Sequence, residues 1–76
     1  MAQEVYPGIT VDRDVQYGRP CFAGTRTPIA AVLGAFAGGS SFDEVMSNYL
    51  MTEEQVRTAL AYAAAQLDTP IVYAAS

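Results

Sequence analysis

The sequence predicts a mainly α fold: a small N-terminal β element followed by three helices, the last two forming a helix-turn-helix. Three observations predict it. Short apolar runs bounded by glycine fill the first third of the chain, the hydrophobic period becomes helical after Thr27, and two Ser/Thr-x-x-Glu/Gln capping boxes follow.

Residues 9–12 and 19–22 read as small strands or extended pieces, flanked by Gly8, Gly18 and Gly24 and joined by a turn over residues 13–17. Thr27 suits an N-cap and Pro28 the first helical position, where a missing N–H costs nothing. Ile29, Val32, Leu33 and Phe36 then form one helical stripe, ended by Gly38 and Gly39. Ser41 and Glu44 open a second helix with Phe42, Val45, Met46 and Tyr49 on its buried face. Thr52 and Gln55 open a third, running to about Leu67, with Val56, Ala59, Leu60, Ala63 and Leu67 inward. The expected division is an extended β element over 9–27, three helices over 28–67 and a tail over 68–76. In that tail Pro70 stops the helix, and Ile71, Val72 and Tyr73 are a loose end or dock on a neighbour. A chain of 76 residues cannot divide into two useful cores, so 1–76 is expected to be a single domain.

The chain is 51% hydrophobic and only 16% charged, apolar for a domain of this size. Its first helix carries no charge, and the back of that helix is Ala30, Ala31, Gly34, Ala35 and Ala37. A helix apolar on every side is normally buried on every side. The small-residue faces of the first or third helix are therefore expected to meet a partner chain, as a homodimer or higher homo-oligomer.

Four arginines against eight carboxylates give a net charge of -4, without lysine or histidine, which argues against a generic polyanion binder. With no histidine to serve as base, Cys-His and Ser-His nucleophilic catalysis are excluded, and no enzymatic activity is expected. Cys21 stands alone and reads as a small buried residue rather than a disulfide or metal ligand. The carboxylate pairs Asp12/Asp14, Asp43/Glu44 and Glu53/Glu54 lack a calcium-loop pattern, so neither metal nor cofactor is expected. The N-terminus has no signal-peptide pattern. The uncharged stretch 27–42 holds Gly34, Gly38, Gly39, Ser40 and Ser41 and makes a poor membrane span, so the expectation is a soluble cytoplasmic protein with no membrane partner.

The densest motif is GRPCFAGTRTPI, residues 18–29. A phosphate loop of the Walker type needs a lysine that is missing here, and the structural reading is favoured. In that reading Gly18, Pro20, Gly24, Thr25 and Pro28 turn a strand into a capped helix, and Arg26 pins the loop to Asp12, Asp43 or Glu44. In a DNA-reading helix-turn-helix the last helix contacts bases near its N-terminus, where this chain has Glu53, Glu54, Arg57 and Thr58. The carboxylates repel phosphate, and Glu53 is spaced to pair with Arg57. The candidate DNA contacts are Arg57, Thr58, Arg19 and Arg26.

GRPCFAGTRTPI, followed by AGGSSFDEV and TEEQVRTALAYAA, resembles the bacterial family called domain of unknown function 433 over residues 9 to about 65. Gly18, Arg19, Pro20, Gly24, Thr25, Arg26, Pro28, Gly39, Ser41, Thr52 and Val56 match its motif, while Met51 stands where leucine is usual. The resemblance implies a homeodomain-like helical fold after a small β element. It also implies an antitoxin of VapB-like type, which binds a toxin resembling PIN-domain ribonucleases and represses its own operon as a dimer. The competing reading is a homo-oligomeric adaptor that binds no DNA.

Overall fold

Two glycine turns build a small sheet from the first 22 residues. In the computed structural model, which describes residues 1–68, Pro7 and Gly8 form the turn between β1 (Gln3–Tyr6) and β2 (Ile9–Val11), with Gly8 at φ +85°. Proline followed by a positive-φ glycine is the signature of a type II turn. The strands are antiparallel, Gln3 opposite Val11 and Tyr6 opposite Ile9, with an irregularity between Glu4 and Tyr6. β3 (Cys21–Phe22) pairs antiparallel on the other side of β2, giving the order β1-β2-β3. β1 lies outside the expected element over 9–27. Its residues are mostly exposed, so backbone pairing rather than a readable apolar alternation makes it a strand.

Three helices follow: α1 (Ile29–Ala37), α2 (Phe42–Tyr49) and α3 (Glu53–Leu67). Roughly half the chain is helical, and with a three-stranded sheet the fold is mixed α/β rather than mainly α. The boundaries have identifiable causes. Thr27 is not the cap of α1. Its carbonyl accepts from the Phe22 N–H at 3.1 Å, and Pro28, extended at φ -67° and ψ 144°, takes the N-cap position without a side-chain cap. At the other end Ser40 N–H donates to Ala35 and Gly39 N–H to Phe36, both at 3.0 Å, with Gly39 at φ +100°. This is the double bond pattern of a Schellman stop, in which glycine takes the left-handed position.

Both capping boxes form. The Ser41 hydroxyl accepts from Glu44 N–H at 3.1 Å while the Glu44 carboxylate accepts from Ser41 N–H at 2.7 Å, and Thr52 and Gln55 repeat the exchange at 3.1 and 2.9 Å. Between α2 and α3 the chain turns at Leu50, left-handed at φ +54° although its side chain is 92% exposed.

The core is one cluster: Ile9 and Phe22 from the sheet, Ile29 and Val32 from α1, Val45 from α2, Met51 from the link, and Val56 and Ala59 from α3. Tyr6 and Tyr62 meet edge to face at 5.5 Å between ring centres, joining β1 to α3, and the Tyr49 hydroxyl donates to the Ala31 carbonyl at 3.4 Å, joining α2 to α1. The inward stripe of α3 differs from expectation. Leu60 is 41% and Leu67 87% exposed, while Tyr62 and Ala63 are half-buried beyond Val56 and Ala59. Small Ala59 sits centrally and Tyr62 turns toward Tyr6, which leaves Leu60 on the flank. The tail, with Pro70, Ile71, Val72 and Tyr73, lies beyond the described residues apart from Asp68.

Replacing Leu50 with glycine relieves a left-handed conformation disfavoured by a Cβ and should raise stability by about 0.5–1 kcal/mol in urea melts. The Ser41 N–H, with the Ser41 hydroxyl second, holds the Glu44 carboxyl below its ordinary value. Because the folded value is depressed, the stabilisation is complete above the unfolded-state value and is lost as pH falls through the folded one. Glu44→Gln should flatten the acid limb of the stability profile, whereas Ser41→Ala should lose about 1 kcal/mol even at neutral pH.

Candidate functional site

The GRPCFAGTRTPI segment is a closed backbone turn. Phe22 carbonyl accepts twice from Thr25, from its N–H at 3.0 Å and its hydroxyl at 2.8 Å, and the same hydroxyl accepts from Thr27 N–H at 3.1 Å. Gly24, third in that turn, is at φ +75°. Ile29 N–H donates to Pro20 carbonyl at 2.9 Å, so the first turn of α1 is tied to the strand that precedes it. The N–H groups of Phe22, Ala23, Thr25, Thr27 and Ile29 are all bonded within the fold, which weighs against a phosphate loop. Cys21 is buried and donates to the Arg19 carbonyl at 3.4 Å, and burial pushes its thiol pKa up, away from the thiolate that nucleophilic chemistry needs.

Arg26 does not pin this loop by a direct bond. Among the described residues its side chain makes no ion pair or hydrogen bond, and it is exposed; its positive charge contributes only weakly to lowering the Asp12 carboxyl, after the Asp14 N–H bonded to that carboxylate at 2.9 Å. The turn closes through backbone and Thr25 alone, which is why it needs no anchoring cation.

The candidate DNA contacts have separate surroundings. Arg57 donates to Glu53 at 2.8 Å and sits 5.9 Å from the centre of the Phe42 ring. Thr58 is half-buried against the β1–β2 turn, its methyl 3.5 Å from where a Cβ on Gly8 would stand, beside Phe22 and Ala23. The sheet thus covers one side of the start of α3. Arg19 is exposed at the opposite end of that helix, next to Gln66 and Leu67, and Arg26 lies in the turn between Phe22 and Thr27, lining the same open cup as Arg13. No single face collects the four.

An apolar groove of about 390 Å³ lies between α1 and the C-terminal half of α3. Ile29, Ala30 and Leu33 form one wall and Tyr62, Ala63 and Leu67 the other, with Pro20 at its end and Arg19 and Gln66 beside it. The groove exists because Ala30 and Ala63 are too small to fill the space between the helices. Leu67, pointing away from the core, is the residue that the sequence placed inward. Tyr62 is the groove residue missed by sequence reasoning; its spacing of three from Ala59 and six from Val56 was the available signal. Among the described residues no group of three or more metal-ligating side chains converges, and no helix is long and apolar enough to cross a membrane.

Residues 9–63 match the family model described as "Protein of unknown function (DUF433)". The chain belongs to this family. The match begins at β2 and ends within α3, so β1 and the C-terminal end of the groove lie outside the DUF433 span. Among solved structures, the X-ray crystal structure of Rv2018 from Mycobacterium tuberculosis is similar at 36% identity with a TM-score of 0.61. The similarity covers 68% of this chain and 24% of the Rv2018 chain, so this DUF433 chain spans about a quarter of that neighbour. No curated protein matches the chain.

The turn and its arginine separate in a stability measurement. Gly24→Ala places a Cβ on a left-handed residue and should cost about 1 kcal/mol, whereas Arg26→Ala should change stability by less than about 0.5 kcal/mol in the same urea melts.

Proposed function

We propose that this DUF433 chain is the antitoxin-like member of a bacterial toxin–antitoxin pair, acting by protein binding and not as an enzyme. Its homodimer or higher homo-oligomer would hold a toxin resembling PIN-domain ribonucleases. The observation that carries this reading is the apolar α1–α3 groove with Leu67 87% exposed beside it. Covering one leucine side chain contributes about 1.5–3 kcal/mol, and an uncharged α1 wall adds no desolvation penalty. The net charge of -4 suits a basic nuclease partner, favouring encounter as well as contact. In this reading the three helices would be the homeodomain-like unit of a VapB-type antitoxin, with neither metal nor cofactor required and the cytoplasm as the place of action.

Operator DNA is a secondary part of this reading. Arg57 is already bonded to Glu53, Glu54 stands beside it, and the β1–β2 turn covers Thr58. These features favour the adaptor alternative over DNA reading for the α2–α3 unit: a homo-oligomeric module that binds proteins only.

Light scattering of the purified protein, alone and mixed with the product of the adjacent gene, tests the proposal. The expected result is a dimer or larger oligomer that shifts to a heavier complex of defined mass. Leu67→Glu should weaken that complex by about tenfold or more, and Leu60→Glu, outside the groove, should leave it intact. A monomer indifferent to the neighbouring product would overturn the antitoxin reading.

A further inference from the structure

Residues 13–19, RDVQYGR, form a loop unlike the rest of the molecule. Asp12 starts it by accepting the Asp14 N–H on its side chain and the Val15 N–H on its carbonyl. Gln16, Tyr17 and Gly18 then follow one another in the left-handed region, at φ 51°, 57° and 83°. Glycine takes this conformation freely, but glutamine and tyrosine are disfavoured there by their Cβ atoms. Burial does not compensate, since Tyr17 is 96% exposed. A strained backbone that holds a bare aromatic ring in water is an arrangement for displaying that ring.

Two cations stand around it. Arg13, Asp14, Gln16, Tyr17 and Arg26 line an open cup of about 420 Å³, and neither arginine side chain has an ion pair or hydrogen bond among the described residues. Guanidinium groups suit phosphate oxygens, the face of a tyrosine stacks on any nucleobase, and an amide such as that of Gln16 can both donate to and accept from a base edge. Asp14 within the cup and Asp12 beside Arg26 balance the two arginines, so the cup is close to neutral and a phosphate would be held by direct contact with the guanidinium groups rather than by a local field. Two guanidinium groups suit one phosphate, and the overall charge of -4 repels a long polyanion.

We propose that the Arg13–Tyr17–Arg26 cup binds a nucleotide, with its base on the Tyr17 ring and its phosphate between the two arginines. The site is separate from the α1–α3 groove, so it stands or falls independently of the antitoxin reading.

NMR titration of the full chain with thymidine monophosphate, and with an oligothymidylate of about ten nucleotides, provides the test. Both ligands should shift the backbone signals of Arg13, Tyr17, Gly18 and Arg26. Tyr17→Phe should keep the affinity, and Arg26→Ala should lower it about fivefold or more. Tyr17→Gly is the discriminating variant: by relieving the strain it should raise the urea midpoint while lowering the affinity about fivefold or more. Equal or weaker binding of the oligonucleotide supports a site for one nucleotide, whereas tighter, salt-sensitive binding of the oligonucleotide would overturn it in favour of a single-strand surface. Absence of shifts at millimolar ligand, or unchanged binding by the Tyr17→Gly protein, would overturn it. Equal competition by a hexaglutamate peptide would also overturn it, in favour of an acidic protein partner.

Discussion

The backbone bonds that close residues 20–29 on themselves govern the rest of the structure. Phe22 N–H to Thr27 and Ile29 N–H to Pro20 bring the start of α1 alongside β3 and deliver Phe22 and Ile29 into one core. Without them the sheet and the helices would be joined by a free linker, and the small core would have to order that linker by side-chain packing alone. The entropy of the loop is instead removed locally, by a positive-φ glycine and a threonine hydroxyl that both donates and accepts. From this junction α2 and α3 follow by short, separately capped links, each adding apolar side chains to the same cluster.

What the sequence reveals best are structures made by neighbours in the chain. The Ser41–Glu44 and Thr52–Gln55 exchanges and the stop at Gly38 and Gly39 lie within a few residues, so spacing alone specifies them. Features decided by distant partners are less legible. Thr27 has the chemistry of a cap but is taken by Phe22, and β1 is a strand because β2 lies beside it. Leu60 and Leu67 outrank Tyr62 in hydrophobicity, yet Tyr6 on β1 draws Tyr62 of α3 inward instead. The candidate site divides in the same way. Arg57 and Glu53 pair as their spacing predicts, while Arg26 has no ion pair among the described residues, and the backbone of its turn closes without it. Gln16 and Tyr17 carry no compositional sign of a left-handed backbone, so their conformation is visible only in three dimensions.

Charge and apolarity occupy different parts of the molecule. α1 offers no charge, and acidic residues occupy the first turns of α2 and α3, where the helix dipole favours them and the capping boxes need one of them. Three of the four arginines lie outside the helices, in the segment from 13 to 26. A protein built this way has two surfaces of different character available for recognition, one governed by the burial of aliphatic groups and insensitive to salt, the other governed by guanidinium groups and sensitive to it.

The sheet has a consequence for how copies of this chain can associate. A three-stranded sheet has two rims, and an open rim is a template on which a foreign strand can add. Here the outer rim of β3 is occupied by the chain's own return through Thr27 and Ile29, and the rim at β1 is four residues long and broken by the irregularity between Glu4 and Tyr6. Neither offers a continuous row of donors and acceptors. Runaway polymerisation through strand addition is thereby suppressed, which leaves association of this apolar-rich chain to surfaces other than the sheet rims.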